Sequence, residues 1–170
     1  MRTQFSLTAL ALTALILAAG CASYRFTSKV PAEMRTIAVP VFENESDFPE
    51  LDAIATQYTL REFQREGTFK IKPTKEAAYK LIGCVTRANP KSLTYDRNYN
   101  SKTSEYQHTV VVKITLIETS SGKILIDDLP IKARTTFLTQ GDMLTGMQDA
   151  YPRIAKELSR SIVDTVLAQW

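Results

Sequence analysis

The sequence predicts an α+β fold: a two-layer sandwich with two helices packed on one face of a mixed sheet of four to five strands. Three observations lead to this prediction. Two segments, one in each half of the chain, place apolar residues three or four positions apart, as amphipathic helices do. Several segments between them alternate apolar and polar residues, as half-buried strands do. The order strand, helix, strand, three-strand meander and helix gives both helices one sheet to cover.

The first 20 residues have the form of a signal peptide. One basic residue, Arg2, precedes an apolar stretch from Phe5 to Ala19, and small residues then lead directly to Cys21. The stretch is interrupted by threonines and is shorter than the roughly 20 apolar residues of a membrane span. The residues before Cys21 resemble the lipobox of bacterial lipoproteins, although Ala18 stands where that box most often has leucine.

The lipobox resemblance implies that Cys21 becomes the first residue of the mature chain and is acylated on its thiol and its amine. A secreted protein with an incidental cysteine is the alternative. Ala22 follows the cysteine where an aspartate would signal retention at the inner membrane. By resemblance to sorting in enteric bacteria, we therefore expect a lipid-anchored protein on the periplasmic face of the outer membrane.

We expect three parts along the chain: a lipoprotein signal peptide over residues 1–20, the lipidated cysteine with a tether over 21–34, and a single α+β domain over 35–170. The mature part is long enough for one domain with a substantial core. Its 20 basic and 18 acidic residues nearly balance, which argues against a nucleic-acid partner. Cys84 lies in an alternating apolar run, so we expect it to be a small buried side chain.

In the first half of the domain, the sequence predicts a strand, a helix and a short strand. We expect residues 35–42 to form the first strand, with Pro40 at an edge or a strand end because proline cannot donate to the ladder. Asp47 and Pro49 indicate a helix start. The apolar spacing after them predicts an amphipathic helix of about four turns that Gly67 ends in the left-handed conformation. The short strand "TFKIK" follows.

The second half predicts an antiparallel meander and a closing helix. Residues 78–88 and 105–118 alternate, and Gly122 supplies the positive φ of a tight hairpin turn. The return strand runs from about 123 to 137, and Asp127, Asp128 and Pro130 interrupt its alternation, which predicts a bulge or bend. The glycines at 141 and 146 predict a loop. The final helix follows it, with the proline at 152 in its first turn.

Residues suited to catalysis are scarce. His108 is the only histidine, and its position between Tyr106 and Val110 on one strand face predicts a packed or strand-surface side chain. No second histidine can complete a metal site, and Cys84 has no ligand spacing around it. Motifs of phosphate loops, nucleophile elbows and zinc proteases are absent from the sequence. The sequence therefore predicts a non-enzymatic protein without cofactor or metal.

The segment over residues 89–107 combines cations with aromatic rings. Lys91, Arg97 and Lys102 alternate with tyrosines at 95, 99 and 106. This mixture suits an anionic amphiphile, because the cations pair with phosphate while the rings lie on sugar or acyl surface. It would also suit single-stranded nucleic acid, and a solvated hairpin loop is the remaining interpretation.

Taken in order, several segments resemble the LptE family of lipopolysaccharide-assembly outer-membrane lipoproteins. They are "YRF" soon after Cys21, then "IAVPVFEN", "LREFQREG", "RNYNSKTSEYQ" and "IVDTVLAQW". The resemblance covers nearly the whole mature chain and implies two helices on a mixed four- or five-stranded sheet. It also implies a protein without turnover, which plugs the large β-barrel LptD, assists its assembly and binds lipopolysaccharide on its way to the cell surface.

The family's basic group in the loop before the Glu-Tyr-Gln strand maps onto Arg97, which makes Arg97 the first candidate for a lipopolysaccharide phosphate contact. The family's second basic position, in the loop before the final helix, has no match, because residues 139–147 contain no lysine or arginine. Lys132 and Arg134 project from one face of the return strand and are candidate substitutes. Lys91 and Lys102 complete the candidate set.

A second resemblance gives the alternative function. The segment "IAVPVFEN" before a helix also resembles the N-terminal part of curli-secretion and TolB-type periplasmic domains. That resemblance implies a periplasm-facing structural or secretion-channel lipoprotein.

Overall fold

The computed structural model describes residues 30–93, 104–139 and 142–170. Within these ranges the chain forms six strands and two α-helices. In chain order they are β1 (Thr36–Ala38), β2 (Glu43–Asn44), α1 (Leu51–Glu66), β3 (Lys70–Ile71), β4 (Tyr79–Ser92), β5 (Ser104–Glu118), β6 (Ile124–Thr139) and α2 (Met143–Leu167). Cys21, Arg97 and Lys102 lie outside the described residues.

All six strands belong to one mixed sheet, in the order β3-β1-β4-β5-β6, with β2 also paired to β4. The short strands β1, β2 and β3 make parallel pairs, whereas β4, β5 and β6 form the long antiparallel meander. The two-layer α+β prediction is confirmed. The sheet has six strands rather than four or five because the expected first strand over residues 35–42 is reduced to β1, and Glu43–Asn44, just beyond it, form the additional strand β2 that also pairs with β4.

The side chains between the sheet and the helices form one continuous core. Alternate residues of β5 from His108 to Leu116 are buried, and so is the apolar stripe of α2 from Ile154 to Val166. The rings of Phe69, Tyr79 and Trp170 close one end, with centroids 5.0–5.9 Å apart. Because fully burying a large apolar side chain contributes roughly 1.5–3 kcal/mol, this shared core holds the two layers together.

Residues before β1 already pack against the core of the domain. Val30 is only 2% exposed, and its carbonyl accepts a hydrogen bond from Arg35 Nε at 2.9 Å. Residues Ala32–Met34 form a 3-10 turn, and Met34 packs against the core. The last residues of the expected tether are therefore part of the folded body.

Helix α1 begins four residues after the expected Asp47. Its first flanking residue, Glu50, is in the left-handed conformation with φ 68° and makes no side-chain cap. Asn44 organises the preceding turn instead, since its Nδ2 donates to the Phe48 carbonyl at 2.9 Å. The helix ends at Gly67 with φ 84°, which confirms the predicted left-handed stop.

Helix α2 begins earlier than the sequence indicated. The Asp142 side chain caps it by accepting hydrogen bonds from the Leu144 and Thr145 amides, each at 3.1 Å. Gly146 lies in the first turn of the helix and not in a loop, and Pro152 lies in the helix interior and not in its first turn. A Cβ at Gly146 would lie 3.0 Å from a methyl of Thr139, so the glycine permits close approach of the helix to β6.

The hairpin between β5 and β6 forms as predicted. Gly122 has φ 70°, and the pairing of the two strands shifts register around Leu116. Asp128, opposite this shift, has φ 48°, so the interruption at Asp127, Asp128 and Pro130 is a bulge. Strand β4 is longer than expected and reaches Ser92.

Candidate functional site: a basic face on the open side of the sheet

Four exposed cations share the side of the sheet that faces away from the helices. Arg87 and Lys132 both pair with Val111, on opposite sides of β5. In the same way, Arg134 pairs with Thr109, and Lys91 pairs with Gln107. Residues directly opposite each other lie on the same face of a sheet. We call Arg87, Lys91, Lys132 and Arg134 the basic face.

A bulge in β4 places two of these cations. Up to Val85, the odd-numbered residues of β4 are buried against the helices. The pairing with β5 then skips Thr86, so Val85 pairs with Val112 while Arg87 pairs with Val111. One extra residue reverses the alternation. Arg87 and Lys91 consequently reach the open face, where the uninterrupted pattern would have directed them into the core.

The long side chains of the basic face cover part of the strand beneath them. Val111 is only 9% exposed, although its side of the sheet carries no helix. Its cross-strand neighbours are Arg87 and Lys132. Such side chains lay their methylene stems along apolar surface and keep the charged group in water. The charges are therefore presented to solvent above an apolar floor.

None of the four cations of the basic face takes part in an ion pair among the described residues. The ion pairs among these residues are Arg65–Glu62, Lys72–Glu76 and Lys113–Asp128. Adjacent strands lie about 4.8 Å apart and residues rise about 3.3 Å along a strand, so the four Cα atoms fall within roughly 10 by 13 Å. Positive charges concentrated in this way attract anions.

The opposite end of the open face carries acidic side chains as well as a lysine. A hollow of about 330 Å³ there is lined by Glu43, Glu45, Cys84, Lys113 and Asp128, among others. Cys84 is half-buried on this face and not in the core, which corrects the expected position. Burial raises the pKa of its thiol, and the nearby Glu45 and Glu43 raise it further. A neutral thiol beside carboxylates is a poor nucleophile.

His108 is packed, as one of the two sequence interpretations expected. It lies on the helix side of β5 and is 0% exposed. Burial lowers the pKa of its imidazole, and neither ring nitrogen has a hydrogen-bond partner among the described residues. It is neither open to substrate nor oriented by a carboxylate, as a catalytic base would be.

A groove lies between the end of β6 and the start of α2. It has a volume of about 580 Å³, and its polar lining includes Glu105, Thr136, Asp149 and Arg153. Arg153 donates from Nη2 to the Thr136 carbonyl at 3.1 Å. No histidine or cysteine lines this groove, which therefore lacks a paired nucleophile and base.

The described ranges hold no group of three histidine, cysteine or acidic side chains arranged to bind a metal ion. Neither helix within them has the length and apolar character needed to cross a bilayer.

The structure thus brings together three of the five candidate lipopolysaccharide-binding residues: Lys91, Lys132 and Arg134. It adds Arg87, which the sequence analysis missed. Arg87 lies four residues before Lys91, a spacing that places both on one face of a strand. The face itself could not be predicted, because the bulge at Thr86 depends on pairing with a strand distant in sequence. Arg97 and Lys102 belong to the connection between β4 and β5, outside the described residues.

A two-helix layer on a mixed sheet with an exposed cationic face defines an α+β protein with a surface suited to binding anions. The chain matches the family model LptE, lipopolysaccharide assembly, over residues 34–168. It therefore belongs to the LptE family. This is a family of assembly factors without enzymatic activity, which agrees with the non-enzymatic prediction.

Solved structures share the fold at low identity. Protein XCC0632 from Xanthomonas campestris is 13% identical, with TM-score 0.57, over 82% of this chain and 90% of that one. The hypothetical protein CT253 from Chlamydia trachomatis is 10% identical, with TM-score 0.54, over 79% and 96%. A putative neuraminyllactose-binding hemagglutinin homologue from Helicobacter pylori is 11% identical, with TM-score 0.53, over 84% and 88%. These similarities show the fold alone. A comparison with curated proteins finds no significant match.

Proposed function

We propose that this protein is a non-enzymatic outer-membrane lipoprotein that associates with the LptD β-barrel as plug and assembly factor. In this proposal it binds lipopolysaccharide through the basic face during delivery to the cell surface. The observation that carries the proposal is the group of four exposed cations on the open sheet face of an LptE-family chain, none of them in an ion pair with another described residue.

The chemistry of the basic face suits a phosphorylated glycolipid. Arginine binds phosphate through two parallel hydrogen bonds, and lysine adds a compact point charge. Arg87 and Arg134 lie diagonally across β5, with Lys132 and Lys91 at the remaining corners. A head group with more than one phosphate can therefore contact several cations at once. The apolar floor at Val111 suits the sugar rings between the phosphates.

The anchor is proposed at Cys21. Each buried methylene of an acyl chain contributes about 0.8 kcal/mol to membrane binding, so several chains hold the protein stably. Val30 packs in the domain, so only the eight residues 22–29 separate the proposed anchor from the described fold. Eight extended residues span at most about 29 Å. The anchor therefore keeps the domain close to the periplasmic face of the outer membrane. Mass analysis of the mature protein should show an acylated Cys21.

Charge reversal tests the basic face. The full-length double variant Lys132→Glu, Arg134→Glu should bind lipopolysaccharide at least about tenfold more weakly, equivalent to roughly 1.4 kcal/mol. Lys156→Glu with Arg160→Glu is the matched control, because it makes the same charge change on exposed positions of α2. The control should change affinity by less than about twofold. Equal losses in both double variants would contradict a localised site.

Two further measurements sharpen the binding test. At 1 M salt, where the screening length is about 3 Å, the difference between the variants should nearly vanish. Arg97→Glu in the same assay examines the family-derived candidate. We expect it to weaken lipopolysaccharide binding and leave folding and barrel association intact, because a loop charge seldom supports a core.

Affinity purification from solubilised outer membranes tests the partner. The proposal expects one dominant β-barrel partner, LptD, whereas a secretion-channel lipoprotein would yield a ring of identical copies or a peptidoglycan-linked set. Depletion of the protein should impair oxidation of LptD and reduce lipopolysaccharide at the surface. Normal oxidation and display in depleted cells would exclude the assembly role.

A further inference from the structure

His108, the only histidine of the sequence, is completely buried where three parts of the fold meet. Its own strand is β5. The ring of Phe48, in the segment before α1, meets it edge-on with centroids 5.7 Å apart. The ring of Tyr151, on α2, lies at 6.0 Å. We call His108, Phe48 and Tyr151 the histidine junction.

This imidazole is unusual because it is a polar ring without polar contacts. Neither Nδ1 nor Nε2 has a hydrogen-bond partner among the described residues. A neutral imidazole carries one donor and one acceptor, and leaving them unpaired inside a protein costs free energy. Its neighbours across the sheet are Pro90 on β4 and Thr135 on β6. Packing alone holds the ring in place, and an apolar ring of similar size would pack there without this cost.

The surroundings offer no charge to stabilise a protonated ring. Phe48, Pro90 and Thr135 are not ionisable. Tyr151 is neutral near pH 7, and its pKa is raised by burial and then by Glu50. Glu50 itself is exposed. Burial is the cause that lowers the pKa of His108, and no charged group of the described residues offsets it.

From this geometry we propose that His108 is an acid-sensitive contact, whose protonation separates its ring from the segment before α1 and from α2. A protonated ring must reach water or a carboxylate, and the path past Phe48 is the weakest side of the junction. Phe48 is only half-buried, and its carbonyl is held by Asn44 and the Ser46 hydroxyl. The other two sides are a paired strand and a long helix. Local opening at the least protected element is the expected response.

The direction of the pH effect follows from where the proton binds more readily. The pKa of His108 in the folded protein lies below its ordinary value of 6.5, so the open form takes up the proton first as the pH falls. The closed junction therefore keeps its full stability above about pH 6.5 and loses it progressively below that value. Most carboxylates remain ionised down to about pH 5, which separates their effects from that of His108.

The single histidine allows a direct experiment on the full-length chain in detergent micelles. Nuclear magnetic resonance follows the His108 ring from pH 7.5 to 5.5, and hydrogen exchange of the peptide amides follows residues 45–50 and 143–155. We expect the ring to remain neutral at pH 7. On protonation, exchange in these two segments, corrected for its intrinsic pH dependence, should rise about tenfold or more. A ring that titrates near 6.5 while both segments stay equally protected would overturn the proposal.

Two variants test whether His108 is the group responsible for the pH dependence of exchange. His108→Phe keeps a ring of similar size but cannot titrate, so its corrected exchange should not depend on pH in this range. Tyr151→Phe removes only a hydroxyl and should keep the wild-type pH dependence. Wild-type behaviour in His108→Phe, or its loss in Tyr151→Phe, would refute the assignment to His108. If His108→Phe does not fold, the wild-type titration and exchange decide the matter.

Discussion

The two faces of the long meander carry opposite chemistry on neighbouring residues of the same strands. On β5, Val110 faces the helices and is buried, while Val111 faces the other way between two cations. On β6, Ala133 is buried against the helices and its neighbours Lys132 and Arg134 are exposed. The comparison shows that stability and binding are assigned to different faces. A substitution on one face should therefore affect one property much more than the other.

The sharpest test uses two adjacent valines. Val110→Lys places an unpaired charge in the core and should cost at least about 3 kcal/mol, a large fraction of the 5–15 kcal/mol of an ordinary domain. Val111→Lys should cost clearly less, because its ammonium group can extend to solvent, although the change gives up a side chain that is only 9% exposed and adds a like charge between Arg87 and Lys132. Urea unfolding of both variants measures the difference. Equal destabilisation by the two lysines would show that the faces are not separated as described.

A smaller loss of stability is expected on the face of the sheet that packs against the helices, at a position with no room for a methyl group. A Cβ at Gly83 would lie 2.7 Å from three atoms of the Phe42 ring. Gly83→Ala should therefore force the ring to shift and cost about 1–3 kcal/mol. Phe42→Leu in the same chain should recover part of this loss, because the smaller side chain leaves space. Denaturant midpoints of the two single variants and the double variant measure the coupling. Strict additivity would contradict the contact.

The smallest of the three effects concerns the exposed cap of α2. Hydrogen bonds from the Thr145 hydroxyl and then from the Leu144 and Thr145 amides hold the pKa of Asp142 below its ordinary value of 3.8. A carboxyl of this kind stabilises the fold above that value, and its contribution is lost as the pH falls through the lower folded value. Asp142→Ala should lower Tm by a few degrees at pH 7 and by less near pH 3. Asp142→Asn should lose less at pH 7, because asparagine also caps. A deficit in Asp142→Ala that does not depend on pH would argue against an ionised cap.

Much of the architecture was accessible from local patterns. The apolar stripes predicted both helices, Gly67 predicted the end of α1, and the break at Asp128 predicted the bulge in β6. Errors arose where a glycine or proline had a tertiary role. Gly146 was interpreted as a loop residue, although it lets α2 approach β6. The start of α1 was misplaced because Asn44, from a preceding strand, organises the turn.

The candidate site was only partly accessible. Lys132 and Arg134 were recognised because they lie two residues apart on one strand, so local alternation places them together. Arg87 was missed because its face depends on the extra residue at Thr86, and that bulge exists only in the pairing with β5. Cys21, Arg97 and Lys102 lie outside the described residues, and their roles remain predictions.

By itself, the sequence determined the kind and order of the main elements and the scarcity of catalytic side chains, and it gave the prediction of a signal peptide. These follow from composition and from periodicities shorter than one element. The tertiary structure alone decided which cations meet on the open face and that the only histidine is enclosed without a hydrogen-bond partner among the residues described. Both depend on the register between strands, and one inserted residue in a strand reverses every side chain beyond it.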